Sequence, residues 1–194
     1  IVGIEFVAFV FWRPARPFVW LAWLAALVGD AIVNGQGSLG ALLLPLFVFD
    51  PGWIPAKAAP MPEELFYDGS CGLCHQAVRF VLSEDRAGDT FRFAPIGGET
   101  FERLVAADVR GSLPDSIVVR KTDGTLLTKS DAVLHIASRL GGVWRVLGGA
   151  ARIVPRPLRD VAYDGVARIR KKIFKAPAAS CPILPPDLRA RFDY

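Results

Sequence analysis

Cys71 and Cys74 are separated by two residues and stand in the string Tyr67-Asp68-Gly69-Ser70-Cys71-Gly72-Leu73-Cys74-His75. Thiols at this spacing support three chemistries: dithiol–disulfide exchange, metal binding, or covalent attachment of a c-type haem, whose Cys-x-x-Cys-His motif this string spells. The flanking elements separate them. Residues 64–67 read as a short strand and residues 76–82 as a helix, so the pair lies where a strand hands over to a helix. The first turn of a helix has unpaired N–H groups and the positive end of the peptide dipole, which favours a thiolate over a thiol. Cys71 in that position is a nucleophile at neutral pH. Cys74, one turn on, is within reach to resolve a mixed disulfide.

The competing chemistries lack parts. Structural zinc needs two further ligands, and only His75, His135 and the distant Cys181 are on offer. Haem attachment requires export, and the sequence has no clear secretory signal; the only methionine, Met61, lies in a linker, which leaves His135 as the obvious distal ligand. Asp68 has two readings of equal weight. It is a proton acceptor for Cys74 when the mixed disulfide resolves, or it hydrogen-bonds the Gly69-Ser70 turn. His75 reads as an exposed polar residue. Pro114, just before a strand, is a candidate for presenting backbone to an incoming disulfide, or else an ordinary turn proline. Cys181 is a third redox thiol or an inert residue near the tail.

Charge divides the chain. Residues 1–60 carry six charges, three of each sign, whereas the remaining residues carry 20 basic and 16 acidic side chains and all of the net +4. Three apolar runs, at residues 1–12, 18–33 and 39–54, each lie at or just below the ~17 residues that span a bilayer. Arg13, Arg16 and Lys57 flank the last two runs, and the loop between those runs has no Lys or Arg. That pattern predicts a membrane hairpin with both ends in the cytoplasm; a buried apolar hairpin is the alternative. Met61 at the start of the body leaves residues 1–60 as the tail of something larger or as sequence upstream of the true start.

The body alternates. Strands are expected at 64–67, 90–94, 116–121 and 125–128, with Asp123-Gly124 as a hairpin turn. Helices are expected at 71–85, 99–107, from Ser130 or Asp131 as cap to 140, at 144–153, and at 158–174. The order β-α-β-α-β-β-α is that of a thioredoxin-like α/β domain, with the cysteine motif after the first strand. The last helix bunches Arg168, Arg170, Lys171 and Lys172, followed by Lys175: a solvated face, or a surface for an anionic membrane. No nucleic-acid motif accompanies the charge.

The residues Tyr67-Asp68-Gly69-x-Cys71-x-Leu73-Cys74 resemble the signature of the DCC family of thiol–disulfide oxidoreductase-like proteins. So do Pro114-Asp115-Ser116-Ile117-Val118-Val119, Ser130-x-Ala132-Val133-Leu134, Leu140-Gly141-Gly142 and Pro157-Leu158-Arg159-Asp160-x-x-Tyr163. The resemblance covers residues 64–194 and implies a thioredoxin-like fold and protein-disulfide reductase activity, with Asp68, Cys71 and Cys74 as the signature positions. Cys181 is similar to a cysteine near the end of many members. Residues 1–55 resemble, more weakly, the end of an HTTM membrane domain, which implies a membrane anchor for the redox domain.

The resulting expectation has four parts: an apolar segment over 1–56, a linker over 57–63, a thioredoxin-like core over 64–142 and a basic helical extension over 143–194. It is a thiol–disulfide oxidoreductase of the cytoplasm, or of the cytoplasmic membrane face if residues 1–60 are expressed. Its partners are a protein or small-molecule disulfide and a cellular thiol reductant, with a possible membrane surface, no nucleic acid and no cofactor or metal. The alternative is a membrane-tethered interaction or metal-binding module with a structural cysteine pair. An enzyme calls for a solvent-accessible Cys71.

Overall fold

The computed structural model describes residues 13–35, 43, 45, 48–57, 60–85, 88–174 and 186–193. The chain forms two compact units, Ile1–Trp53 and Ile54–Tyr194.

In the first unit, helix α1 (Arg16–Asn34) has a proline in its opening turn, where the missing N–H costs nothing, and ends at Gly35 in the left-handed conformation (φ 64°). Its 19 residues are long and apolar enough to cross a membrane by length and composition, a test that a signal sequence also passes. Asn34 donates to Asp30 at 2.6 Å within the helix. Trp20 donates its indole N–H to the Pro45 carbonyl at 2.7 Å and packs on Phe49 and Trp53. The first apolar run and seven of the sixteen residues of the third, and with them the turn of the hairpin, lie outside the described residues.

In the second unit, period-two alternation builds the sheet. Strands β1 (Glu63–Tyr67), β2 (Phe91–Pro95), β3 (Val118–Arg120) and β4 (Leu126–Thr128) lie in the order β2-β1-β3-β4. β1 pairs parallel with β2 and antiparallel with β3, and β3 pairs antiparallel with β4. Leu65, Tyr67, Phe91 and Phe93 point to one face, where α2 (Gly72–Glu84) and α5 (Lys129–Leu140) cover them. Phe66, Ala94 and Val118 point to the other, under Phe101 of α3 (Glu99–Leu104). This is a thioredoxin-like mixed sheet with a helical extension, α6 (Gly142–Ala151) and α7 (Arg156–Ile173).

Local departures from the sequence reading have physical causes. The helix expected over 99–107 breaks at Val105 and Ala106, both extended, and resumes as α4 (Ala107–Arg110). Val105 is buried in the second core cluster, and reaching that core takes its backbone out of the helix. Neither Ser130 nor Asp131 caps α5. Thr128 is the cap residue, Ser130 donates its hydroxyl to Asp160, and Asp131 receives Arg159 and Arg156. Tertiary partners on α7 thus outcompete the local cap. Gly141 stops α5 as expected, at φ 74°; a Cβ there would stand 2.6 Å from the Ala56 nitrogen, so no other residue fits. Residues expected in or beside the linker are tied to the body: Lys57 donates to Ser138 at 3.2 Å, and Gly142 to Ile54 at 2.8 Å.

The chain's end was read only as a tail. After a short helix α8 (Pro186–Arg189), Phe93 donates to the Arg191 carbonyl and Asp193 donates to the Phe93 carbonyl, both at 2.8 Å. The tail thereby covers the open edge of β2, which would otherwise present unpaired backbone. Arg191 lies buried with its Nη2 2.5 Å from Asp85, and Arg92 forms a two-pronged pair with Asp193.

Candidate active site

The turn before α2 is built by its own polar groups. Asp68 Oδ1 accepts from the Ser70 N–H at 2.9 Å and from the Ser70 hydroxyl at 2.6 Å, the Asx-type turn that Asp favours. His75 reaches back from α2, its Nε2 2.8 Å from the Gly69 carbonyl. A carbonyl only accepts, so this nitrogen carries the proton. His75 is half-buried against the Tyr67 ring, less exposed than the sequence suggested. Cys71 is the cap residue of α2, with extended backbone; its N–H donates to the Asp68 carbonyl at 3.2 Å and its carbonyl accepts from His75 at 3.1 Å.

Both cysteines are free thiols, and both are buried: Cys71 is 1% exposed and Cys74 6%. They belong to the same apolar cluster as Leu65, Phe93 and Ile136. The accessible Cys71 that exchange calls for is therefore not found in this closed arrangement, because strand β1 and helix α2 deliver the sulfur to the core side of the sheet. Burial pushes the Cys74 thiol up to about 12; its hydrogen bond to Cys71 and the nearby Cys71 charge act in the same direction. The Arg170 guanidinium and the Asp68 backbone N–H pull the other way. Burial thus holds the proton on Cys74.

Arg170 was grouped in the sequence with the basic cluster of the last helix. The fold separates it from that cluster. It is 3% exposed, its Nη1 lies 3.5 Å from Cys74 Sγ, and its Nη2 lies 2.5 Å from Asp115 Oδ1 and 3.9 Å from Asp68 Oδ2. One cation thus joins Asp68, Asp115 and Cys74. The sequence held a signal for this: Arg159, Tyr163 and Arg170 recur at helical spacing, a polar stripe along one side of α7. Tyr163 accepts the Ile117 N–H at 3.1 Å, and burial raises its phenol. Arg159 meets Asp131 at 3.2 Å.

Pro114 stands next to Asp115 at the edge of this cluster. It lines a hollow with Asp68 and Asp115, the two carboxylates that Arg170 joins, and the Ser116 N–H donates to its carbonyl at 2.8 Å. No cis peptide bond occurs among the described residues. His135, considered as a metal or haem ligand, is taken up by Glu63 at 2.6 Å beside Arg139. Among the described residues no three His, Cys, Asp or Glu side chains converge as a metal site requires. Cys181 and Lys175 lie outside the described residues. An apolar cavity of 360 Å³ runs between α2, α5 and α7, with Cys74, Tyr163 and Arg170 in its wall.

Comparison with known proteins agrees with this geometry. The family model of DCC1-like thiol-disulfide oxidoreductases matches residues 65–176, which hold the cysteine pair, Tyr163 and Arg170. An uncharacterized protein of Bacillus subtilis, YuxK, is 35% identical over 134 residues, covering 66% of this chain and 91% of the relative. A DCC family protein of Arabidopsis thaliana, described as chloroplastic, is 31% identical over 129 residues, covering 63% of this chain and 73% of that one. No solved structure matches. The family match begins at residue 65, so the resemblance of residues 1–55 to an HTTM domain gains no support from it.

Proposed function

This chain belongs to the family of DCC1-like thiol-disulfide oxidoreductases, and from that premise we propose that Cys71 and Cys74 form a working dithiol that reduces disulfides. The observation that carries the reading is the thiol pair at the start of α2, with Cys71 at the helix cap and the Cys74 proton held beside it. Cys71, as thiolate, attacks a substrate disulfide; one substrate thiol leaves, and Cys71 forms the mixed disulfide. Cys74 then loses its proton and attacks the Cys71 sulfur, releasing the second substrate thiol and leaving a Cys71–Cys74 disulfide. A cellular thiol reductant restores the dithiol with two electrons and two protons.

Asp68 is the proposed proton acceptor for Cys74. Arg170 is a positioning residue that supports the Cys74 thiolate as it forms. Because both sulfurs are buried, exchange follows local opening of the site. α7 is the element proposed to loosen, since it meets the site through the polar side chains Tyr163 and Arg170.

The same burial favours a second reading, a structural thiol pair, since inert cysteines are typically buried in apolar surroundings. A redox titration of the full chain decides between them, counting free thiols against glutathione poise with wild type beside Cys71→Ser. A reversible two-electron transition that disappears in the variant is expected. Thiols that stay reduced at every poise, or that are masked until a chelator is added, refute the oxidoreductase reading.

A further inference from the structure

Helix α7 is amphipathic in the reverse of the usual sense. A surface helix normally turns its apolar stripe to the core and its charges to water. Here Arg159, Tyr163 and Arg170 point inward, each engaged by the body. Leu158, Val161, Ile169 and Ile173 recur at intervals of three, eight and four along the outward side, the spacing of one helical face, and all are exposed, Val161 at 70%. At the corner leading into α7, Ile153 is 85% exposed. α6 adds Val146 and Leu147, each half exposed. So many exposed apolar side chains on one short segment mark a site that something covers.

Charge identifies the occupant. Residues 142–174 hold eight basic side chains and two acidic ones; with Arg159 and Arg170 turned inward, six basic side chains remain against the two acidic ones. Arg152 and Arg168 are exposed on this segment, and Arg156 is 62% exposed at its start. An apolar face with exposed arginines beside it complements an anionic bilayer surface. Apolar side chains enter the acyl boundary while guanidinium groups stay among the headgroups. The same chain carries α1, which is long and apolar enough to span a bilayer. We propose that the outward face of α6 and α7, centred on Ile153, Leu158, Val161 and Ile169, docks on an anionic membrane surface. This stands apart from the thiol chemistry: it requires no redox-active cysteine. It also revises the sequence reading, in which the basic residues alone, Arg170 among them, formed the membrane face.

Hydroxyl-radical footprinting of the full chain tests this, since its readout is local and is not masked by any anchoring through α1. The chain is compared free, with phosphatidylcholine vesicles, and with vesicles containing about one-third phosphatidylglycerol. Side-chain oxidation at Leu158, Val161 and Ile169 is expected to fall at least fivefold with anionic vesicles, while Ile96, on the body, is unchanged. The double variant Val161→Asp, Ile169→Asp changes only exposed positions, so its far-UV circular dichroism should be unaltered; protection at Leu158 is expected to vanish in it. Arg152→Glu with Arg168→Glu provides a second variant that leaves the apolar face intact and is expected to reduce protection severalfold. Unchanged oxidation with anionic vesicles overturns the proposal, and equal protection by neutral vesicles overturns the anionic assignment. Protection without lipid also overturns it: if it rises with protein concentration, a second copy covers the face; if it does not, another segment of this chain does.

Discussion

Replacing Arg170 by Met removes the cation beside Cys74 while keeping a flexible apolar side chain in a buried place. At the observed 3.5 Å between Nη1 and Sγ, an effective dielectric of about 20 gives a gross attraction of roughly 5 kcal/mol for a Cys74 thiolate. Much of this is offset, because the same guanidinium is paired with Asp115 and faces Asp68. Taking a net loss of about 1.4–2.7 kcal/mol, the thiolate fraction of Cys74 at neutral pH falls roughly 10- to 100-fold. A thiol of higher pKa is also a better nucleophile once ionised, and with a Brønsted slope of about 0.4–0.5 this recovers nearly half of the logarithmic loss. Resolution of the mixed disulfide is therefore expected to slow by roughly 3- to 16-fold. The assay follows the mixed disulfide on Cys71 by rapid mixing with a model disulfide, an alkylating quench and intact mass measurement, so the first attack and the resolving step are read separately. Arg170→Lys keeps a cation and should stay nearer wild type. If Arg170→Met resolves as fast as wild type with its Cys71 disulfide still forming, the guanidinium does not act on Cys74 and the argument from its placement fails.

Three further outcomes follow from the same geometry. Burial, the largest cause that raises the Cys74 thiol, also acts in the mixed disulfide, so the resolving rate should keep rising with pH from about 7 to 9; a plateau near pH 8 in the mass-resolved assay would contradict the burial argument. Reduced protein should lose stability as pH rises from about 9 towards 12, because the folded state holds the Cys74 proton where the unfolded chain has lost it. Cys74→Ser should lack that part of the alkaline loss in urea titrations at each pH. Finally, Asp85→Asn leaves Arg191 buried beside a neutral partner, where an ion pair at 2.5 Å stood, and should cost about 3–5 kcal/mol by chemical denaturation. A loss under 1 kcal/mol would mean that the tail is not anchored there.

Local pattern was enough for much of this protein. Alternation of Phe91 and Phe93 with Arg92 placed a strand, Asp123-Gly124 placed a hairpin, and Gly141-Gly142 ended a helix; each signal acts over a few residues, and each element appears within two residues of where it was read. The strand–Cys71-x-x-Cys74–helix arrangement and the thioredoxin-like element order were legible for the same reason. The end of the helix over residues 99–107 was not, because burying Val105 overrides helical propensity, and neither was the start of α5, because Asp160 on a distant helix takes the Ser130 hydroxyl that a cap would use.

Only the tertiary structure decided which side chains meet. Sequence spacing ties Cys71 to Cys74 because one helix turn separates them, but no local rule carries Arg170 across 96 residues to the Cys74 sulfur. Nor does charge composition tell an arginine that is buried beside the cysteine pair from the neighbouring Arg168, which faces solvent. Periodicity shows that α7 has two faces; which one turns inward depends on what the body offers it. Here the body offers Asp131, the Ile117 N–H, Asp115 and Cys74 to the polar side, so the apolar side is left facing outward. An unpaired buried charge costs far more than an exposed isoleucine, and that inequality sets the helix's orientation.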